Sequence, residues 1–174
     1  MPAMIGQALP RKEDARLLSG SGCYGDDFSL PNQVYAVFVR SPHAHARIRS
    51  IDTRAARAMP GVLAVLTGLD VNADALAPIP HTPISIGPPA DIALKNRDGS
   101  PAGIAPHPLL ATDRVRYVGE QVVMVVAETV VAARDAAEQV AIDYEPLAAI
   151  IAGVAAAEPG AVQLYDDIAN VCID

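Results

Sequence analysis

Apolar and polar positions follow two rhythms along this chain. A period of two marks strands, and a period near 3.6 marks helices. "QVYAVFV", residues 33–39, is rich in β-branched and aromatic side chains and predicts a buried strand. After Pro42, "HARIRSI", residues 45–51, alternates strictly. His45, Arg47 and Arg49 fall on one face of that strand, Ala46 and Ile48 on the other. "DTRAARAMPG", residues 52–61, predicts a short helix capped by Thr53 and stopped by Pro60-Gly61. "VLAVLTG", 62–68, predicts a third strand. "RVRYVGEQVVMVVAE", 114–128, reads as two short strands around Gly119. Then "TVVAARDAAEQVA" switches to helical spacing, with Thr129 as N-cap. Its apolar stripe is Ala132, Ala133, Ala136, Ala137 and Val140; Arg134, Asp135 and Glu138 form its wet side. "AIDYEP", 141–146, predicts a last strand.

These elements form two strand–helix–strand units. Between them runs a Pro-rich excursion, residues 70–113, with eight of the fifteen prolines between Pro78 and Pro108. Connections this long are uncommon in compact domains, and are often functional or linker-like. Residues 1–32 predict an irregular N-terminal segment punctuated by Gly20, Gly22, Gly25 and Pro31. The expected class is α+β, in one domain over residues 1–174, without the regular alternation of a doubly wound sheet.

Composition narrows the function. There is no Trp and only two Phe, so the core must be Ala, Val, Ile and Leu. The net charge of −7 argues against a nucleic-acid binder. The charge is uneven: residues 1–60 carry eight basic and five acidic side chains, residues 61–174 five and fifteen. The basic part is a candidate docking face. The longest apolar run, Leu147–Ala157, has eleven residues, against about 20 for a membrane span. With no secretory pattern at the N-terminus, a cytoplasmic protein without membrane insertion is expected. Cys23 and Cys172 show no metal spacing and read as buried thiols in a reducing compartment.

Three motifs invite chemistry. Gly20–Gly25 matches G-x-G-x-x-G, but neither a strand before it nor a helix after it is predicted, so it reads as a glycine turn. His43 and His45, in "RSPHAHARI", would need a third ligand to hold a metal. His81 and His107 stand in the Pro-rich stretch without ligand spacing, and "YDDIA", 165–169, reads as a solvated acidic turn. No catalytic, cofactor-binding or metal-binding residue is assigned. His45, Arg47 and Arg49 are assigned as a possible partner interface, with Arg54 and Arg57 keeping positive charge nearby.

"RKEDARLLSGSGCYGDD", "VYAVFVRSPHAHARIRSIDTRAARAMPGVLAVLTG", "RVRYVGEQVVMVVAET" and "AIDYEPL" follow in order over most of the chain. They resemble the start of the molybdenum-cofactor large subunit of the xanthine dehydrogenase, aldehyde oxidase and carbon monoxide dehydrogenase family. The resemblance implies an α/β-hammerhead domain around a mixed sheet. It implies a molybdenum hydroxylase acting on aldehydes, N-heterocycles or CO. Molybdenum–molybdopterin is then held by the remainder of the large subunit, and iron–sulfur clusters and usually FAD by other domains or subunits. This chain is expected to be an accessory domain or split subunit, silent alone. The alternative is a stand-alone binding or assembly module using the same fold.

Overall fold

The computed structural model describes residue 6 and residues 8–80 and 95–174. His81 and the middle of the Pro-rich excursion lie outside the described residues. The chain divides into two units, Met1–Gln33 and Val34–Asp174.

The first unit is less irregular than its glycines suggest. Helix α1, Asp14–Leu18, starts where the Arg11 amide donates to Asp14 Oδ2 at 2.9 Å. Gly20, at φ +73°, turns the chain back. A Cβ on Gly22 would lie 2.6 Å from Leu17 Cδ2, so glycine permits that close return. Gly25–Asp27 form one 3-10 turn, closed by the Tyr24 amide on Asp27 Oδ2 at 2.8 Å. The G-x-G-x-x-G run is thus a turn between a one-turn helix and a 3-10 turn. It lacks the long helix N-terminus that cradles a phosphate.

The second unit holds β1 (Tyr35–Arg40), β2 (Ala46–Asp52), α2 (Arg54–Arg57), β3 (Val62–Thr67), α3 (Gly68–Ala73), β4 (Arg114–Val115), β5 (Gln121–Ala127), α4 (Val130–Glu138), β6 (Ala141–Pro146) and α5 (Gly153–Ala156). The strands make two three-stranded sheets, ordered β1-β5-β3 and β4-β2-β6. Every strand pair among the described residues is antiparallel. The α+β class stands, but the expected mixed sheet is two antiparallel ones. Each connecting helix hands the chain from one sheet to the other: β2-α2-β3 and β5-α4-β6 both cross.

β5 runs through the middle of its sheet, and Val122, Val123, Val125 and Ala127 are fully buried. The three valines pack with Val65, Val115, Ala46, Ala56, Ala111 and Ala136 in an aliphatic core, against which the half-buried Tyr144 lies. Each buried valine contributes about 1.5–3 kcal/mol. α4 forms as its pattern dictates: Thr129 Oγ1 accepts from the Ala132 amide at 3.1 Å, and Ala133 and Ala136 are buried. β1 differs from expectation. It is an edge strand whose side chains alternate between half-buried and exposed, because only one of its faces meets the core.

Two other local readings are corrected. Thr53 sits at the N-cap of α2 but does not cap it; Asp52 Oδ1 takes the Arg54 amide instead, at 3.0 Å. The Pro-rich excursion begins later than residue 70, because α3 extends β3. Thr67 and Asp70 form a reciprocal capping box there, with the Thr67 amide 2.7 Å from Asp70 Oδ2. Further on, residues 95–103 are tied to the C-terminal segment: Gly103 donates to the Cys172 carbonyl at 2.7 Å, and the Asp174 amide to Asn96 Oδ1 at 2.9 Å.

Candidate docking face and the Ser41–Glu120 turn

Strand β2 carries Arg47 and Arg49 on its exposed side. Arg47 pairs in register with Arg114 of β4 and Glu145 of β6, so the three form one row across the sheet. Arg49 reaches Glu145 at 3.4 Å, and Arg114 reaches Asp166 at 3.3 Å. Among the described residues Arg47 has no ion pair. The face therefore holds three arginines against two carboxylates. The Arg49–Glu145 pair is exposed and is worth about 0–1 kcal/mol.

His45 does not belong to this face. It is 5% exposed. Its carbonyl accepts from the Leu147 amide at 2.9 Å, and its Nδ1 lies 2.6 Å from the Ala148 carbonyl. A nitrogen on a carbonyl must carry the proton, so Nδ1 donates, while Nε2 is buried without a partner among the described residues. Alternation alone put His45 beside Arg47, but the strand begins at Ala46 and the chain beyond β6 folds over His45. Arg54 and Arg57 add less charge than expected. Arg54 clasps Asp52 at 2.6 Å, holding that carboxyl down to about 2 through its side-chain bond and its own amide. Arg57 bonds Thr53 Oγ1 and the Val65 carbonyl.

His43 and His45 do not converge on one point. The Ser41 hydroxyl donates to the His43 carbonyl and accepts from the His43 amide, both at 3.0 Å. That folds "SPH" into a tight turn. The His43 ring then lies 4.9 Å from the Tyr144 ring, tilted by 59°.

This turn meets the one between β4 and β5. Ser41 donates its amide to the Glu120 carbonyl, and Gly119, at φ +90°, donates back to the Ser41 carbonyl, each at 2.8 Å. Glu120 is 5% exposed, and its Oε2 accepts the Arg116 amide. Burial pushes this carboxyl above its ordinary value, against the pull of the Arg116 and Tyr117 amides and the charge of Arg116. It lines a cavity of about 240 Å³ with His107, Tyr117 and Tyr165. Burial raises both phenols as well. The Arg116 guanidinium lies 4.4 Å from the Tyr165 ring centre, and its Nε donates to the Leu164 carbonyl at 3.0 Å. Residues 164–166 are therefore a docked strap, with Asp166 exposed and Tyr165 half-buried. Glu120 escaped sequence reasoning, because an isolated Glu beside a strand carries no local sign of burial.

Cys23 and Cys172 are both free and exposed, contrary to expectation, since both lie outside the two sheets that bury side chains. Among the described residues no three His, Cys, Asp or Glu side chains gather as a metal set, and no helix is long and apolar enough to cross a membrane.

Residues 19–148 match the family described as aldehyde oxidase and xanthine dehydrogenase, a/b hammerhead domain. Among relatives, the nicotine 6-hydroxylase large subunit of Paenarthrobacter nicotinovorans is 43% identical over 85% of this chain and 16% of its own length. The carbon monoxide dehydrogenase large chain of Afipia carboxidovorans is 39% identical over 94% of this chain and 18% of its own. Among solved structures, quinoline 2-oxidoreductase from Pseudomonas putida superposes with a TM-score of 0.75 at 38% identity, over 93% of this chain and 19% of that one. The chain thus spans less than a fifth of the relatives it matches.

Proposed function

The chain belongs to the aldehyde oxidase and xanthine dehydrogenase family, as its hammerhead domain, and from that premise we propose that it is the non-catalytic N-terminal part of a molybdenum hydroxylase large subunit. The observation that carries this reading is the match itself. It is continuous over residues 19–148, yet covers only 16% and 18% of two large subunits that act on nicotine and carbon monoxide. The substrate class is then an aldehyde, an N-heterocycle or CO. The donor set among the described residues does not fit a molybdenum centre, so no step through one is derived. Molybdenum–molybdopterin belongs to the remainder of the large subunit in this reading, and iron–sulfur clusters and FAD to further domains or subunits. A single domain over residues 1–174 and a cytoplasmic location are parts of the same proposal.

The role left to this chain is to dock. Arg47 and Arg49 present cationic donors on a rigid strand, and Arg47 stands without a counter-ion among the described residues. A carboxylate on the remainder of the large subunit would gain a charge-assisted bond there as water leaves. The test is Arg47→Ala with Arg49→Ala, measuring the affinity for the cofactor-bearing polypeptide and the melting temperature of the chain alone. Clearly weaker association at nearly unchanged melting temperature is expected. Unchanged association returns both arginines to a merely solvated face.

A further inference from the structure

The sheet β1-β5-β3 has two unlike faces. Val37, Val125 and Val65 form one cross-strand row, and Val125 and Val65 are fully buried in the core that α4 closes. The neighbouring row, Phe38, Met124 and Leu66, points the other way. Among the described residues it floors a groove of about 300 Å³ whose lining includes Val71 of α3, Leu76, Leu109 and Leu110. Phe38 is 37% exposed and Leu76 54%.

The groove lining includes two carboxylates, Asp70 and Asp74. The Arg40 guanidinium stands 5.7 Å from the Phe38 ring centre and is bonded to the Gly119 carbonyl. Bonds from the Thr67 hydroxyl and amide hold Asp70 below the ordinary carboxylate range, so it is ionised at neutral pH. Asp74 is exposed at the rim. The surrounding residues 61–174 carry ten more acidic than basic side chains.

We propose that this groove seats an apolar polypeptide segment bearing a lysine or arginine, with the apolar side chains on Phe38, Met124 and Leu66 and the cation on Asp74. The segment comes from the cofactor-bearing remainder of the large subunit. This assignment rests on the proposed function, in which more than four-fifths of the relatives' length lies outside the matched region. It adds a second contact surface, in a different sheet from Arg47 and Arg49 and of opposite charge. A second copy of this chain is the poorer occupant, because a twofold contact would bring the two acidic rims together. An apolar segment with one cation satisfies both the groove floor and its rim.

The experiment measures the affinity of the chain for the cofactor-bearing polypeptide, using Phe38→Asp and Asp74→Lys. Each is expected to weaken association by about tenfold or more, as truncation at an anchor does. Asp74 is at an exposed position, so Asp74→Lys tests the groove even where Phe38→Asp disturbs folding. Wild-type binding that both variants retain overturns the groove while leaving the proposed function standing. Absence of wild-type binding overturns both. A dimer of the chain alone that Phe38→Asp dissolves also overturns the assignment, because it gives the groove to a second copy.

Discussion

Replacing Glu120 separates the two things its carboxyl does. Its Oε2 satisfies the Arg116 amide at the β4–β5 turn, and it pays for doing so by losing water around a charge. Glu120→Ala strands that amide and leaves a small void. An orphaned buried donor costs about 1–3 kcal/mol. In a chain of this size each kcal/mol lowers the melting temperature by about 2–4 °C, so a fall of roughly 2–12 °C at pH 7 is expected. Glu120→Gln keeps a side-chain acceptor without the charge, and should stay within about 1 kcal/mol of wild type. The pH dependence has a definite sign. The folded carboxyl titrates above its ordinary value of 4.5. Its ionisation is therefore harder in the folded chain than in the unfolded one, and wild type loses stability as pH rises from there through the folded value. Glu120→Gln has no such loss, so its stability relative to wild type should improve from pH 4 to pH 8. Thermal unfolding followed by circular dichroism across that range is the assay. A Glu120→Ala chain melting within 1 °C of wild type would refute the reasoning. So would a Glu120→Gln chain that falls further behind wild type as pH rises.

Thr129→Ala removes the cap of α4 and should cost about 1 kcal/mol, read from the urea midpoint. Val125→Ala removes two methyl groups from a fully buried site, and should cost about 2–3 kcal/mol by the same measurement, transfer and cavity terms together. Hydrogen exchange should find the amides of the described parts of the Pro-rich excursion beyond α3, residues 74–80 and 95–109, faster than those of Val122–Ala127. Within it, Gly103, whose amide is bonded to the Cys172 carbonyl, should be slower than its neighbours.

Helix α4 was fully legible in the sequence. Its cap, its stripe and its wet side are all local patterns, and the structure buries Ala133 and Ala136 from that stripe. The strands were legible for the same reason, but their division into two sheets was not. Alternation says which residues share a face and nothing about which strand lies alongside. His45 shows the limit most clearly. Alternation puts it beside Arg47, but it precedes the first residue of β2, and its burial comes from Leu147 and Ala148, about a hundred residues away in the chain. Glu120 is the same case, closed over by a strap at 164–166. Helix α3 is a different case: Thr67-x-x-Asp70 forms a local capping box, and the prolines downstream mask its helical signal. The exposed arginines 47 and 49 were legible, because strand period and burial agree there.

The central claim is that this chain contributes a docking scaffold and no redox chemistry of its own. The most direct measurement is molybdenum per chain, taken on material isolated under native conditions and again after its partners are stripped away. The account predicts near-stoichiometric molybdenum in the complex, travelling with an identified large polypeptide, and essentially none on the stripped chain. Stoichiometric molybdenum that stays with the stripped chain would contradict it.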